Sequence, residues 1–455
     1  METREIRKAI FALAVPASLE AVFQMGLGFV DQIVIAQMGE APLAAVGLTN
    51  SLMFVVTLVL GALSAGTAIL VARNQGRQDG VGVSRSIGSA IQVSVLLTVP
   101  LALGAAVLPE QMLRLLGAAP DVAESGREFF RLIALTLPLS VTGSVMVGAL
   151  RSLGDARTPM FITFMVVVCN TLLNLVLVFG LGPIPALGVV GAACATVTSQ
   201  VLRLGFLSWR LLLNGRAFLQ LRHWVEPDRL MLTTLLQLSL PIAMTQILWA
   251  VGNLSYTLLG VRLGTTAIVA TQMVNATEGL FLMFSSGLSA AALTLVGQSL
   301  GAGALDDMKA KARQVMTLGL GSSILFGAVL ASMSLWVHFF YPTVSQETLR
   351  LAILGIMLNA LFQPAKVLNM ILGNGLLPAG GDTRFILFVD VIAVYMVGLP
   401  LVWLLAFVLD MGLPGIFIGR LAEEVVKLAF LFFRYRTLRW FHVLATPEPA
   451  LAPSL

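Results

Sequence analysis

Residues 16–39 read PASLEAVFQMGLGFVDQIVIAQMG, an apolar run that begins with a proline and ends with a glycine. From residue 9 to residue 38 the chain has no Lys or Arg, and its only acids are Glu20 and Asp31. A helix of about 20 such residues crosses the hydrocarbon core of a bilayer. The run therefore predicts a membrane-spanning helix with a carboxylate at Asp31. Such a residue is a functional-site hypothesis by default, and the alternative is that Asp31 only reaches the headgroups near a helix end.

The composition extends this prediction to the whole chain. Of its 455 residues, 58% are hydrophobic and only 11% are charged, compared with about 25% charged in soluble domains. A membrane protein with many spans is therefore expected. The net charge of +5 fits basic loops facing an anionic leaflet, and it predicts no nucleic-acid partner. Cys169 and Cys194 lie in apolar runs and indicate no disulfide framework.

Apolar runs separated by breaks predict twelve membrane-spanning helices. They lie near residues 10–38, 43–72, 87–108, 128–150, 158–182, 187–212, 231–260, 266–297, 313–338, 348–373, 385–409 and 412–436. An even number of spans places both termini on one side of the membrane. Lys and Arg are concentrated in the loops of that side, so both termini are predicted to be cytoplasmic.

The two halves of the chain repeat each other. A shift of 225 positions superposes Pro16 on Pro241, Gly39 on Gly264, and Gly76 on Gly301, while LGDARTP (153–159) corresponds to GGDTRF (380–385). The predicted fold is an all-α integral membrane protein with twelve transmembrane helices in two pseudo-symmetric six-helix lobes. The predicted boundaries are an N-lobe at 1–213, a cytoplasmic linker at 214–230, a C-lobe at 231–440 and a cytoplasmic tail at 441–455.

Polar residues in the N-lobe predict an ion or proton site. A rise of about 1.5 Å per residue places Asp31, Asn174 and Thr196 in one layer, some 10–14 Å below the outer surface. Asn170 lies one turn deeper, on the same helix face as Asn174. One carboxylate with amide and hydroxyl oxygens suits a bound proton or a Na⁺ ion. The alternative is that the amides and hydroxyl only join helices by hydrogen bonds.

The second half carries different charged residues. They are Glu278, Lys366, Asp390, Glu423, Glu424 and Lys427. Glu278 lies near the predicted midplane without an obvious partner, which makes it the stronger functional hypothesis of this half. Lys366 and Asp390 are predicted to pair, and so are Glu423 and Lys427, four residues apart on one helix. These pairs have either a structural role or a role in gating and coupling.

Pro16 interrupts the first span, and Pro241 occupies the same place in the seventh. A proline inside a helix removes one hydrogen bond and permits a kink. Pro16 is therefore a predicted hinge of the first span, with a passive kink as the alternative.

Several motifs together resemble one transporter family. They are VDQIVIAQMG (30–39), NTLLNLVLVFGLG (170–182), LGVVGAACAT (187–196), VGQSLGAG (296–303) and LLPAGGDTRF (376–385). Over essentially the whole chain the sequence resembles the multidrug and toxic compound extrusion (MATE) family. The resemblance implies a V-shaped pair of six-helix lobes and efflux of cationic or amphipathic compounds coupled to inward H⁺ or Na⁺ flow.

The resemblance also implies roles for individual residues. Asp31 matches the functional aspartate of span 1 in the family, and Pro16 matches the proline linked to bending of that span. Asn170, Asn174 and Thr196 match polar positions that line the same pocket. The DinF-like branch often has a second aspartate at the position of Asn174. The NorM-like branch has acids on spans 7 and 10, where this chain has none, so a C-lobe sodium site of that kind is not implied.

The sequence therefore predicts a secondary active efflux antiporter of the bacterial inner membrane, not an enzyme. Its expected partners are small cationic or amphipathic molecules and the bilayer, it needs no cofactor besides the coupling ion, and it is expected to be monomeric. One alternative is a lipid-linked oligosaccharide flippase, which needs a cationic cavity although these spans contain few Lys or Arg residues. An integral membrane transferase is the other alternative, and it would require a cluster of catalytic residues that the sequence does not show.

Overall fold

The computed structural model describes residues 3–181, 185–213, 226 and 228–442. Within these residues the chain is helical almost throughout and has no strand. The long helices are α1 Thr3–Ala36, α2 Glu40–Gly76, α3 Gly80–Val107, α4 Pro120–Ser152, α5 Arg157–Phe179, α6 Gly188–Leu213, α7 Arg229–Val261, α8 Thr265–Gly301, α9 Leu305–Met333, α10 Gln346–Ala379, α11 Thr383–Val408 and α12 Leu413–Arg436. The predicted all-α fold with twelve transmembrane helices is confirmed.

Charge distinguishes α12 from the other long helices. In the described part of the chain, 11 helices are long and apolar enough to cross a membrane. The remaining long helix, α12, has 24 residues, enough to span a bilayer, but its middle carries Arg420, Glu423, Glu424 and Lys427. It packs against α10 and α11, so these charges face other helices of the bundle.

The helices on the side of the chain termini run further than predicted. Helix α1 begins at Thr3 instead of near residue 10, and α3 begins at Gly80 instead of near residue 87. A hydropathy pattern stops at the first charged residues, whereas a helix continues into the headgroup region. Most of the predicted linker, residues 214–225 and 227, lies outside the described residues, as does the tail from residue 443. The domain boundaries therefore stay a prediction.

Equivalent glycines make equivalent turns in the two repeats. Gly39 and Gly264 precede α2 and α8 with φ of 109° and 94°. Gly154 and Gly381, in the two Gly-Asp loops, have φ of 90° and 82°. Residues with a side chain rarely adopt these positive φ values, so each turn depends on its glycine.

Equivalent ion pairs close the two Gly-Asp loops. Arg210 near the end of α6 lies 2.9 Å from the Asp155 carboxylate. Arg434 near the end of α12 lies 2.6 Å from the Asp382 carboxylate. Each aspartate thus ties the start of the fifth helix of its lobe to the end of the sixth. The arginines are supplied by these helices and not by the loop motifs themselves.

The lobes contact each other through equivalent helices. Helix α1 packs on α8, α7 packs on α2, and α2 and α8 cross near the end of the bundle that carries the termini. At this crossing Gly76 lies directly against the carbonyl of Gln298, and Gly301 lies against the carbonyl of Arg73. A Cβ at either glycine would overlap a backbone oxygen, so the close crossing requires both glycines.

The lobes are closed at the end that carries the termini. Arg73 Nε donates to the Ala379 carbonyl at 3.1 Å, and Gln298 Nε2 donates to the Ser152 carbonyl at 2.8 Å. The two bonds occupy equivalent positions in the repeat and cross between lobes in opposite directions. An apolar cluster from α1, α8, α9 and α10 packs beside them. Toward the opposite end each buried cluster belongs to a single lobe, so the lobes separate there.

Candidate functional site

Asp31 contacts two buried asparagines in the N-lobe. Asn174 Nδ2 donates to Asp31 Oδ1 at 2.6 Å and to Asn170 Oδ1 at 2.9 Å. Asp31 is half-buried, whereas both asparagines are fully buried. Asp31 and Asn174 each lie five residues before the end of their helix, which places them at one depth. Asn170 Nδ2 and Asn174 Oδ1 are buried without a partner among the described residues, so the network has one donor and one acceptor to spare.

The other two residues predicted for this region do not contact the carboxylate. Thr196 Oγ1 donates to the Ala192 carbonyl of its own helix at 3.1 Å. Pro16 lies buried inside α1, four turns from Asp31. Beside it, Ser18 Oγ donates to the Phe284 carbonyl of α8 at 2.7 Å, so the α1 turn that contains the proline is bonded to the opposite lobe.

A second charged cluster of the N-lobe was not predicted. Glu20 is fully buried, with Arg151 Nη2 at 2.7 Å and the Thr163 hydroxyl at 3.2 Å from its carboxylate. The charges of Glu20 and Arg151 also act on Arg203 of α6. Glu20 was visible as the second acid of the first apolar run. Arg151 directly follows the predicted span 128–150 and Arg203 lies within the predicted span 187–212, and neither was singled out as a site residue.

A cavity of about 290 Å³ lies between this cluster and the asparagines, lined by residues of five helices of the N-lobe. Its polar lining includes Gln24, Thr57, Ser140, Thr163, Gln200 and Arg203. Gln24 is seven residues, or two helical turns, from Asp31 on α1, so the cavity lies on the termini side of the aspartate. Polar residues thus extend along the N-lobe from Asp31, past this cavity, to the cluster of Glu20, Arg151 and Arg203.

The predicted Lys366–Asp390 pair is wrong. Lys366 Nζ lies 2.5 Å from Glu278 Oε1, and it also contacts the Asn359 side chain. Glu278, expected to lack a partner, is therefore paired between α8 and α10. Depth along each helix was counted from the sequence, but depth alone does not say which helix faces which.

The predicted Glu423–Lys427 pair is also wrong. Lys427 forms an ion pair with Asp390 of α11. Glu423 instead accepts a hydrogen bond of 2.5 Å from the Tyr256 hydroxyl of α7. Although four residues apart, the two side chains extend to different neighbouring helices. Interhelical partners override the spacing rule when a helix is buried on several sides.

These groups line one charged C-lobe pocket with a cavity of about 100 Å³. Its charged side chains are four carboxylates and three cations: Glu278, Asp390, Glu423, Glu424, Lys366, Arg420 and Lys427. Glu424 accepts from Asn369 Nδ2 at 2.7 Å, and the Arg420 guanidinium lies 5.3 Å from the centre of the Tyr256 ring. The wall at Asp390 continues into a π-helical segment, Val391–Gly398. Such irregular turns often occur at functional sites.

A third cavity of about 250 Å³ lies between the lobes. Small side chains of α2 and α8 form most of its wall, for example Gly61, Ala65 and Ala290, and Arg151 reaches it from α4. Arg151 therefore faces the space between the lobes, while Arg203 faces the N-lobe cavity. Glu20 is bonded to one of these arginines and interacts with the charge of the other.

Two six-helix lobes, closed together at one end, separated at the other and holding buried charged cavities, define a membrane transporter with a central pathway. The MatE family model matches residues 16–176 and again residues 241–404, once in each lobe. The chain belongs to the MatE family of transporters.

The chain is similar to multidrug resistance proteins over almost its whole length. A multidrug resistance protein, NorM, of Burkholderia vietnamiensis is 29% identical over 451 residues, covering 96% of this chain and 95% of the relative. A probable multidrug resistance protein, NorM, of Thermotoga maritima is 28% identical over 449 residues, covering 95% and 93%. A solved structure described as the outward-facing conformation of a MATE family multidrug resistance transporter has a TM-score of 0.85 at 21% identity, covering 95% of this chain and 96% of that one.

The observed C-lobe pairing predicts which double substitution restores stability. Lys366→Met or Glu278→Leu alone leaves a buried charge without its partner, a loss of about 3–5 kcal/mol. We expect the double variant Lys366→Met/Glu278→Leu to unfold closer to the wild-type temperature than either single variant, measured by thermal unfolding of the purified protein. The matched control is Lys366→Met/Asp390→Leu, which joins residues of two different pairs. Equal recovery in both doubles would contradict the pairing.

Proposed function

We propose that the protein is a secondary active efflux antiporter that exports cationic or amphipathic compounds in exchange for inward H⁺ flow through Asp31. The observation that carries this proposal is the half-buried Asp31 carboxylate, hydrogen-bonded by Asn174 in a lobe that opens away from the chain termini. Among the hydrogen-bonded residues of this network only Asp31 can change charge. The multidrug resistance relatives support an efflux role for the whole chain.

The hydrogen-bond pattern favours H⁺ over Na⁺ as the coupling ion. A Na⁺ ion would need several free oxygens around Asp31, whereas the two asparagines offer one unbonded amide oxygen, Asn174 Oδ1. Here the Asn174 amide nitrogen lies between Asp31 and Asn170, and each of these residues accepts from it. Thr196 is bonded to its own helix. A proton needs only a carboxylate oxygen, and protonation of Asp31 would remove the charge that Asn174 now stabilises.

The C-lobe pocket supports a cationic cargo. It contains one more carboxylate than cationic side chains. Two of its acids, Glu423 and Glu424, are held by a hydroxyl and an amide instead of an ion pair in the described residues. Carboxylates with neutral partners keep their negative potential, which attracts a cation.

Gradient-driven transport tests this proposal directly. Liposomes that contain the purified protein are loaded with ethidium, a permanent cation. Either a pH gradient or a Na⁺ gradient is then imposed across their membrane. We expect ethidium to move against its own gradient when the pH gradient is present, and only passively when the Na⁺ gradient replaces it. Equal transport with either gradient, or with neither, would refute proton antiport.

We also propose that the closed end with the chain termini faces the cytoplasm, as the distribution of Lys and Arg predicts. With Cys169 and Cys194 replaced by serine, a cysteine at Glu40 should react with an impermeant maleimide in intact cells. A cysteine at Asp306, whose side chain is fully exposed near the closed end, should react only after the membrane is opened. Reaction of Asp306→Cys in intact cells would reverse the orientation.

The flippase alternative is favoured by Arg151 and Arg203, which line cavities between helices, whereas the sequence suggested few cations in the spans. However, Glu20 already neutralises one of these two charges. One remaining positive charge is a poor match for a pyrophosphate headgroup, which carries at least two negative charges. The charges of the N-lobe therefore favour an antiporter for smaller molecules.

A further inference from the structure

The N-lobe cluster contains more positive than negative charge. It has two guanidinium groups, those of Arg151 and Arg203, and a single carboxylate, that of Glu20, which is bonded by Arg151 and Thr163. Arg203 lines the 290 Å³ cavity, and its Nε is buried with no hydrogen-bond partner in the described chain. A buried guanidinium nitrogen without an acceptor is unfavourable, and the cluster has one more positive than negative charge, so this arrangement favours an anion in the cavity.

At the equivalent positions the C-lobe has an ion pair that the N-lobe lacks. The repeat that aligns Asp155 with Asp382 and Arg210 with Arg434 also aligns Thr163 with Asp390 and Arg203 with Lys427. In the C-lobe the aspartate and the lysine form an ion pair. In the N-lobe a threonine stands in place of the acid, so the cation next to the cavity keeps its charge available.

The neighbouring polar groups suit an organic molecule that carries both a carboxylate and an N–H group. Gln200, one turn before Arg203 on α6, lines the same cavity, and its buried amide oxygen lacks a donor, which an N–H group of the bound molecule would supply. A guanidinium offers paired N–H groups that match the two oxygens of a carboxylate. The cavity holds more than a simple inorganic ion, and apolar residues such as Leu27 and Val166 complete its wall.

We propose that the N-lobe cavity is a binding site for the carboxylate group of an exported aromatic or amphipathic compound, with Arg203 as the group that binds it. Cargo that also carries a positive charge would be zwitterionic. The site deepens the proposed function, since it takes the bound compound to be exported cargo. It does not depend on the coupling ion, because binding is measured without any gradient.

Two dyes that differ in one group test the site. Rhodamine 110 has a free carboxylate, and rhodamine 123 is its methyl ester. Binding of each to the detergent-solubilised full chain is measured by fluorescence anisotropy. We expect Arg203→Gln to raise the Kd for rhodamine 110 by at least about tenfold, the size expected for loss of a charge-assisted hydrogen bond, and to leave the Kd for rhodamine 123 within about twofold of wild type. Arg114→Gln, at an exposed arginine outside the cavity, is the matched control and should change neither value.

Competition on the wild-type protein gives a second readout that needs no variant. Benzoate should displace rhodamine 110 at a concentration at least about tenfold lower than benzamide, its uncharged counterpart. Two results would contradict the carboxylate site: equal displacement of rhodamine 110 by benzoate and benzamide, or an equal rise in the Kd for both dyes in Arg203→Gln. If the protein binds carboxylates selectively but shows no gradient-driven efflux, the carboxylate site is supported and the antiporter is refuted. If it shows gradient-driven efflux but no preference for carboxylates, the antiporter is supported and the carboxylate site is refuted.

Discussion

Asp31→Asn should reduce proton-driven efflux to the level of protein-free liposomes while the protein still inserts and folds. The substitution keeps the size of the side chain. It also keeps an oxygen that can accept the hydrogen bond from Asn174 Nδ2, which is now 2.6 Å from Asp31 Oδ1. The expected change in stability is therefore small, about 1 kcal/mol. What is lost is the only group of the Asp31–Asn174–Asn170 network that can take up and release a proton.

The measurement combines transport with folding. Ethidium transport under an imposed pH gradient is compared with the elution profile and thermal unfolding of the same preparation. The matched control is Glu40→Gln, which neutralises an exposed acid at the beginning of α2 and should transport as wild type does. Wild-type efflux by Asp31→Asn would show that the carboxylate is only an anchor near the membrane surface.

A disulfide between the lobes should stop transport completely and reversibly. A Cβ placed on Gly66 of α2 would lie 3.4 Å from the Cβ of Ser239 on α7, close to the 3.5–4.5 Å found in disulfides. Helices α2 and α7 belong to different lobes and pack together on the closed side. Alternating access requires this contact to open, so a covalent bond across it should hold the transporter in the present conformation.

The lock is tested in a background with Cys169 and Cys194 replaced by serine. Gly66→Cys/Ser239→Cys is oxidised with copper phenanthroline, assayed for ethidium transport, and assayed again after reduction. Each single cysteine variant, treated in the same way, controls for damage by the oxidant. Undiminished transport by the quantitatively cross-linked protein would mean that α2 and α7 stay in contact throughout the cycle.

The N-lobe site shows how far helix counting reaches. Asp31 and Asn174 were predicted in one layer because each lies a similar number of residues before the outer end of its span. In the structure a hydrogen bond joins them. Thr196 was predicted in that layer by the same count, yet its hydroxyl is bonded to its own helix. Depth follows from 1.5 Å per residue, but the direction of a side chain depends on helix rotation, which the count leaves undetermined.

The charged pairs of the C-lobe needed information that one sequence does not hold. Lys366 has carboxylates at several depths within reach of its long side chain, and packing of α8 on α10 selects Glu278. Arg151 and Arg203 were missed for a related reason. An arginine that directly follows an apolar run, such as Arg151, is counted with the loops, whereas its long side chain can extend inward to a buried acid such as Glu20.

The charge of α12 has a consequence for biosynthesis. A charged residue near the centre of a helix opposes insertion by about 2.5–3.5 kcal/mol, and this helix carries four such residues near its middle. Asp390 and Tyr256, which bind Lys427 and Glu423, come earlier in the chain and are already synthesised when α12 leaves the ribosome. Helix α12 therefore enters the bilayer next to helices that already hold the partners of its charges, and the C-lobe pocket is completed only after α12 has been synthesised.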